Sequence, residues 1–166
     1  MNNFFGFRNR NIMRVKNGRP DAVAMVIGVG DYPELSGIVA FYQNAQGVLV
    51  VASFENLPSS GGECGGEVLG FHIHEGNSCT GNAEDMLADT KSHYNPKSCQ
   101  HPYHAGDLPP LFSNNGIAYM SVLTNRFTVK EIIGRTVVVH NGADDFTTQP
   151  SGKSGKRIAC GVINRV

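Results

Sequence analysis

No apolar run in this 166-residue sequence approaches 18 residues, so nothing in it reads as a membrane-spanning helix. No Cys-x-x-Cys pair occurs among Cys64, Cys79, Cys99 and Cys160, which argues against a thiolate zinc ribbon. There is no internal repeat, and low complexity is confined to the Gly/Ser stretch after Pro58. No acidic residue precedes Asp21, whereas Arg8, Arg10, Arg14, Lys16 and Arg19 do. Residues 1–20 therefore carry +5. The remainder has nine Lys/Arg against fourteen Asp/Glu and carries −5, within a formal charge of zero. This arm reads as a solvated, poorly ordered tail ahead of one domain over 21–166, and no nucleic-acid partner is expected. It also lacks a secretory pattern: its longest apolar piece, FFGF, precedes the basic residues, where a signal needs about 7 to 15 apolar residues after them.

What is present favours strands. Hydrophobic content is 40%, enough for one buried core. Twenty Gly and eight Pro lie between short Val/Ile/Phe runs, the composition of an all-β chain rich in turns. AVAMVIG (22–28), SGIVAFYQN (36–44), VLVVASFENL after an NAQG turn, EVLGFHIHE, GIAYMSVLTNRFTV, RTVVVH and IACGVI read as seven or eight strands. Two stretches do not: 76–115, and NGADDFTTQPSGKSGKR near the C-terminus. A structureless stretch as long as the first is usually functional, or held by something other than a core.

The chemistry concentrates there. In GFHIHE, His72 and His74 alternate with Phe71 and Ile73, so a strand would put both imidazoles on one face about 6 to 7 Å apart. The plain alternative is a half-buried strand with two exposed histidines. All six histidines lie between 72 and 140: His93 follows in SHYNP, His101 and His104 in HPYH, His140 ends TVVVH, and Asp107 sits in HAGDLPP. A long loop without a core needs a clamp, and imidazole with carboxylate is a ligand set for zinc or copper. His101, His104 and Asp107 supply three positions of a zinc site, and His72, His74 and His140 supply three nitrogens to a metal such as Cu(II). Two four-ligand sites need eight contacts from seven residues, so one ligand must be shared. His93 is the candidate, because an imidazole deprotonated at both nitrogens binds a metal through each.

The segments GFHIHEGNSCT, SHYNP, HPYHAGDLPPL, GRTVVVHNGADDF and GKRIACGVI, in that order, resemble the copper/zinc superoxide dismutase family over roughly residues 22–166. The resemblance implies a Greek-key β-sandwich or barrel of about eight antiparallel strands with two long functional loops. It implies copper on His72, His74, His93 and His140, and zinc on His93, His101, His104 and Asp107. Asp144 matches the carboxylate linking His72 to His101, and Arg157 the arginine that attracts superoxide. It further implies a Cys79–Cys160 disulfide, leaving Cys64 and Cys99 for a second bond, the favoured expectation, or as free thiols.

This chain departs from the family in having DTKS before His93, with Lys91 where glycine is common. It also has short spacing between His101 and His104, a short second loop carrying Lys153 and Lys156, and the two extra cysteines. The implied activity is superoxide dismutation. The rival readings are a copper-transfer module of the same fold and a zinc-clamped binding protein acting through the basic arm. The compartment stays open, since disulfides argue for an oxidising one and the missing signal for the cytoplasm. Monomer and homodimer stay open too.

Overall fold

The alternation seen in the sequence becomes a rolled antiparallel sheet in the computed structural model, which describes residues 18–59 and 67–166. The basic arm, all but its last three residues, and Cys64 lie outside the described residues. The strands are β1 (Ala22–Gly28), β2 (Ser36–Asn44), β3 (Gly47–Glu55), β4 (Glu67–Leu69), β5 (Phe71–His74), β6 (Leu111–Ser113), β7 (Ala118–Thr124), β8 (Thr136–His140) and β9 (Arg157–Arg165). One helical turn, α1 (Val129–Ile132), precedes β8.

Seven strands form one sheet in the order β5-β8-β9-β1-β2-β3-β7, and β4 pairs with β6 in a second, small sheet. β1, β2 and β3 follow one another as antiparallel neighbours, and β9 returns beside β1, the order of a Greek key. Phe54 on β3 and Phe71 on β5 meet edge to face with centroids 5.7 Å apart, although four strands separate them in the sheet. The sheet is therefore curled upon itself, and the inward residues Phe41, Phe54, Phe71, Leu69 and Ile163 fill the space enclosed.

EVLGFHIHE is two strands rather than one. Leu69 belongs to the small sheet and Phe71 to the large one, and Gly70 forms the corner between them. A Cβ on Gly70 would lie 2.7 Å from the Cβ of Ser154, which is itself buried. β5 is also buried on both faces. Phe71 and Ile73 face the core, while His72 and His74, 0% and 1% exposed, are covered by the two irregular stretches. The half-buried, solvent-facing alternative for these histidines is thereby excluded.

The first irregular stretch is anchored on β5. The Ile73 amide donates to the Gly106 carbonyl at 2.9 Å, and the Tyr94 amide to the Ile73 carbonyl at 2.8 Å. This caps the open edge of β5, which would otherwise present unpaired backbone groups. The stretch also holds more apolar contact than its composition suggests: Leu87, Tyr94, Leu108 and Leu111 are all buried. A Cys79–Cys160 disulfide ties its beginning to β9. Cys99 forms no disulfide with a described residue.

Gly106 is the tightest of these anchors, since a Cβ there would lie 2.1 Å from the Ile73 carbonyl oxygen. Gly106→Ala is expected to destabilise the protein by on the order of 2 kcal/mol, because the loop must lift off β5. A urea midpoint equal to that of the parent would show that the strand tolerates the displacement.

Candidate metal centre

The β-strand repeat places His72 and His74 on one face of β5, with ring centroids 6.3 Å apart. β8 runs beside β5 and ends in His140, whose ring lies 5.0 Å from that of His72. The loop docked on β5 brings His93 to 3.9 Å from the His72 ring and 5.0 Å from the His74 ring. The remaining residues of that loop, His101, His104 and Asp107, gather on the far side of His93. Two four-residue groups result, His72/His74/His93/His140 and His93/His101/His104/Asp107, and within each the ligand atoms lie within 4.8 Å of one another. All seven residues are buried. All seven candidates from the sequence meet at this one place, together with Asp144.

Hydrogen bonds decide which ring nitrogen carries the proton. His74 Nδ1 donates to the Lys91 carbonyl at 2.9 Å, and His140 Nδ1 donates to the Gly155 carbonyl at 3.2 Å. A carbonyl can only accept, so the Nε2 of each ring keeps a lone pair. Those two Nε2 atoms are 3.2 Å apart. Asp144 does the same for another pair, taking His72 Nε2–H and His101 Nε2–H on its two oxygens at 2.8 Å each. Four buried ring nitrogens, His72 Nδ1, His93 Nε2, His101 Nδ1 and His104 Nδ1, have no hydrogen-bond partner among the described residues. One Asp107 oxygen sits 2.7 Å from His93 Nδ1, and the other sits 3.1 Å and 3.3 Å from the Nδ1 atoms of His101 and His104. Lone pairs converging without donors cost free energy unless a cation satisfies them. The residues present therefore fit a metal in each group.

The sequence comparisons point the same way. The copper/zinc superoxide dismutase family matches residues 35–163. The chain belongs to that family. A copper-zinc superoxide dismutase of Legionella pneumophila is 36% identical over 151 residues, covering 86% of each chain. One of Photobacterium leiognathi is 34% identical over 141 residues, covering 76% of this chain and 78% of that one. A third, from Aquifex aeolicus, is 32% identical over 145 residues, covering 78% and 80%. Family membership implies copper and zinc as cofactors, and both histidine groups fit metal sites.

Other contacts of this dismutase-family site carry little sequence signal. The carbonyls of Lys91 and Gly155 fix two tautomers through backbone atoms that every residue possesses. Asp85 was not singled out in the sequence, yet its carboxylate pairs with Arg157 at 2.8 Å. Arg157 also donates to the carbonyls of Leu87 at 3.1 Å and Lys91 at 3.0 Å.

Burial favours the neutral form of His72, His74, His104 and His140. It lowers His72 to about 4, against the hydrogen bond to Asp144, and His140 to about 3. His74 is held well below its ordinary value, again chiefly by burial, and His104 shifts the same way. In the metal-free protein the folded state thus binds fewer protons than the unfolded chain between about pH 6.5 and pH 3 to 4. Stability from these groups is present in full above that window and falls as pH falls through it. A series of denaturant midpoints on metal-free protein from pH 8 to pH 4 should show this decline beginning near pH 6.5, and a flat profile would contradict it.

Proposed function

We propose that this protein dismutates superoxide, using copper held by His72, His74, His93 and His140 and zinc held by His93, His101, His104 and Asp107. Two superoxide anions and two protons become one dioxygen and one hydrogen peroxide. The catalytic unit is residues 21–166. The observation that carries the reading is His93: its Nδ1 faces the Asp107 group, while its Nε2 lies among His72, His74 and His140 with no hydrogen-bond partner among the described residues. The donor sets agree, four imidazoles suiting copper and three imidazoles with one carboxylate suiting tetrahedral zinc.

When bound, copper supplies one-electron exchange with superoxide, and zinc supplies a fixed charge that holds the loop. The chain's own groups do the rest. His93 holds or releases a proton at Nε2 while Nδ1 stays engaged on the Asp107 side, so its ring does not turn. Asp144 keeps the rings of His72 and His101 in register from behind. His74, His93 and His140 line a cleft of about 470 Å³ together with Lys91 and Arg157. The cations attract a small anion into this cleft against a body of net −5. Asp85 both orients the Arg157 guanidinium and reduces the net field it projects.

Ligation and attraction are separable. His74→Ala is expected to abolish turnover and lose copper while retaining zinc, since zinc shares only His93 with the first group. Arg157→Ala breaks no metal bond, so copper should stay while the rate falls on the order of tenfold at low ionic strength and loses part of its salt dependence. Metal content and a superoxide assay on both variants check this. Full activity in His74→Ala, or loss of copper in Arg157→Ala, would overturn the site assignment. Copper bound by the parent without turnover would instead indicate a copper-transfer module, and zinc without copper or activity a binding protein.

A further inference from the structure

The connection from β7 to α1 contributes one side chain to the far side of the zinc-ligand loop. Arg126 places a single nitrogen, Nη1, against three backbone carbonyls: Pro102 at 3.0 Å, His104 at 3.3 Å and Asp107 at 3.1 Å. Two of these carbonyls belong to ligand residues, and the third to the residue after His101. Three carbonyl oxygens directed at one point repel one another unless a cation lies between them. Arg126 forms no ion pair with a carboxylate among the described residues, so its charge is met there by these carbonyls.

Other contacts hold the two ends of the segment: Gln149 meets the His101 amide and carbonyl at 2.9 Å and 2.8 Å, the Gly106 carbonyl accepts from Ile73 at 2.9 Å, and the His104 amide donates to the Asp107 carboxylate at 3.0 Å. Within 101–107, backbone bonds run from the amides of Tyr103 to Gln100, Gly106 to Tyr94 and Asp107 to His104, the last a long 3.3 Å. The buried Nδ1 atoms of His101 and His104 lie 3.1 Å and 3.3 Å from one Asp107 oxygen, within the ligand group. Arg126 is itself fixed from the barrel side: its amide donates to Thr124 Oγ1 at 3.3 Å, and Phe127 beside it is buried.

We infer that Arg126 is a positioning residue for zinc: its guanidinium gathers the 102, 104 and 107 carbonyls so that His101, His104 and Asp107 stand in ligating geometry before the metal arrives. This rests on the assignment of His93, His101, His104 and Asp107 as zinc ligands. Partners behind a ligand typically change metal affinity about 10- to 100-fold when removed. Because the acceptors converge on one nitrogen, a lysine ammonium with three donors is a chemically suitable replacement.

The test measures zinc affinity of metal-free parent, R126Q and R126K proteins by chelator competition, with amide exchange at Tyr103 and Asp107 in the metal-free state. R126Q is expected to bind zinc about 10- to 100-fold more weakly and to exchange these amides faster. R126K should recover most of both. Equal zinc affinity in R126Q and parent overturns the inference. So does an equal loss in R126K accompanied by an equal drop in denaturant midpoint, which would give Arg126 a packing role only. If the parent takes up no zinc, or H104A takes it up as tightly as the parent, the metal assignment fails, and the exchange rates of metal-free R126Q then decide on the clamp alone.

Discussion

Asp144 joins the two halves of the site with one carboxylate. Its oxygens accept one hydrogen bond each from His72 and His101, and this fixes the proton of both rings on Nε2. Each Nδ1 lone pair is thereby turned inward, one toward the group of His74, His93 and His140 and one toward that of His93, His104 and Asp107. Burial would raise the Asp144 carboxyl, but bonds from His72, the Phe146 amide and His101 outweigh it and hold the group at about 2. The second irregular stretch is shaped around this carboxylate. Gly152 adopts a φ of 66°, and a Cβ on it would collide with Asp144 Oδ1. A glycine is needed there on both counts.

The cost of this arrangement explains why fold and metal belong together. Six imidazoles are withdrawn from water, and several carry inward lone pairs with no donor to meet them. The apolar core behind β5 tolerates this because the alternation of FHIH separates the two environments: Phe71 and Ile73 close the core, and His72 and His74 face the site. Without cations the site opposes folding. With them, ligand bonds add to the stability of a loop that the sheet holds by a few amides, four apolar side chains and the Cys79–Cys160 disulfide.

Much of this was legible in the sequence because it depends on side chains at periodic positions. The bounds of β1 and β2 coincide with their alternating runs, and the seven residues that gather in the two groups are those that histidine and aspartate placement singles out. What escaped depends on backbone or on contacts between distant segments. The break at Gly70 arises from the close approach of Ser154, which no local pattern encodes. α1 is absent from the sequence reading, whose strand GIAYMSVLTNRFTV ends at Val129, although Thr128 and Glu131 form a capping pair: Glu131 accepts the Thr128 amide at 2.6 Å and its hydroxyl at 2.7 Å. Arg126 and Asp85 carry no local signal, because their partners lie 19 to 24 and 72 residues away.

Lys91 shows how a departure from the family pattern is accommodated. Its φ of 60° and ψ of −144° fall in a region that essentially only glycine occupies freely, at a cost of order 1 to 3 kcal/mol for a side chain. The contacts that hold it there are its own. Its amide donates to Ala88 at 3.0 Å, and its carbonyl accepts from both His74 Nδ1 and Arg157 Nη2. One strained peptide group thus sets the tautomer of His74 and, with Asp85 and the Leu87 carbonyl, the direction of Arg157. The dependence runs one way. Removing Arg157 leaves the carbonyl bound to His74 and the amide to Ala88, whereas turning the Lys91 carbonyl away would take one hydrogen bond from His74 and one from Arg157, which keeps Asp85 and the Leu87 carbonyl. The strain is tolerable because His74 is buried, and an unmet Nδ1–H on it would itself cost about 1 to 3 kcal/mol.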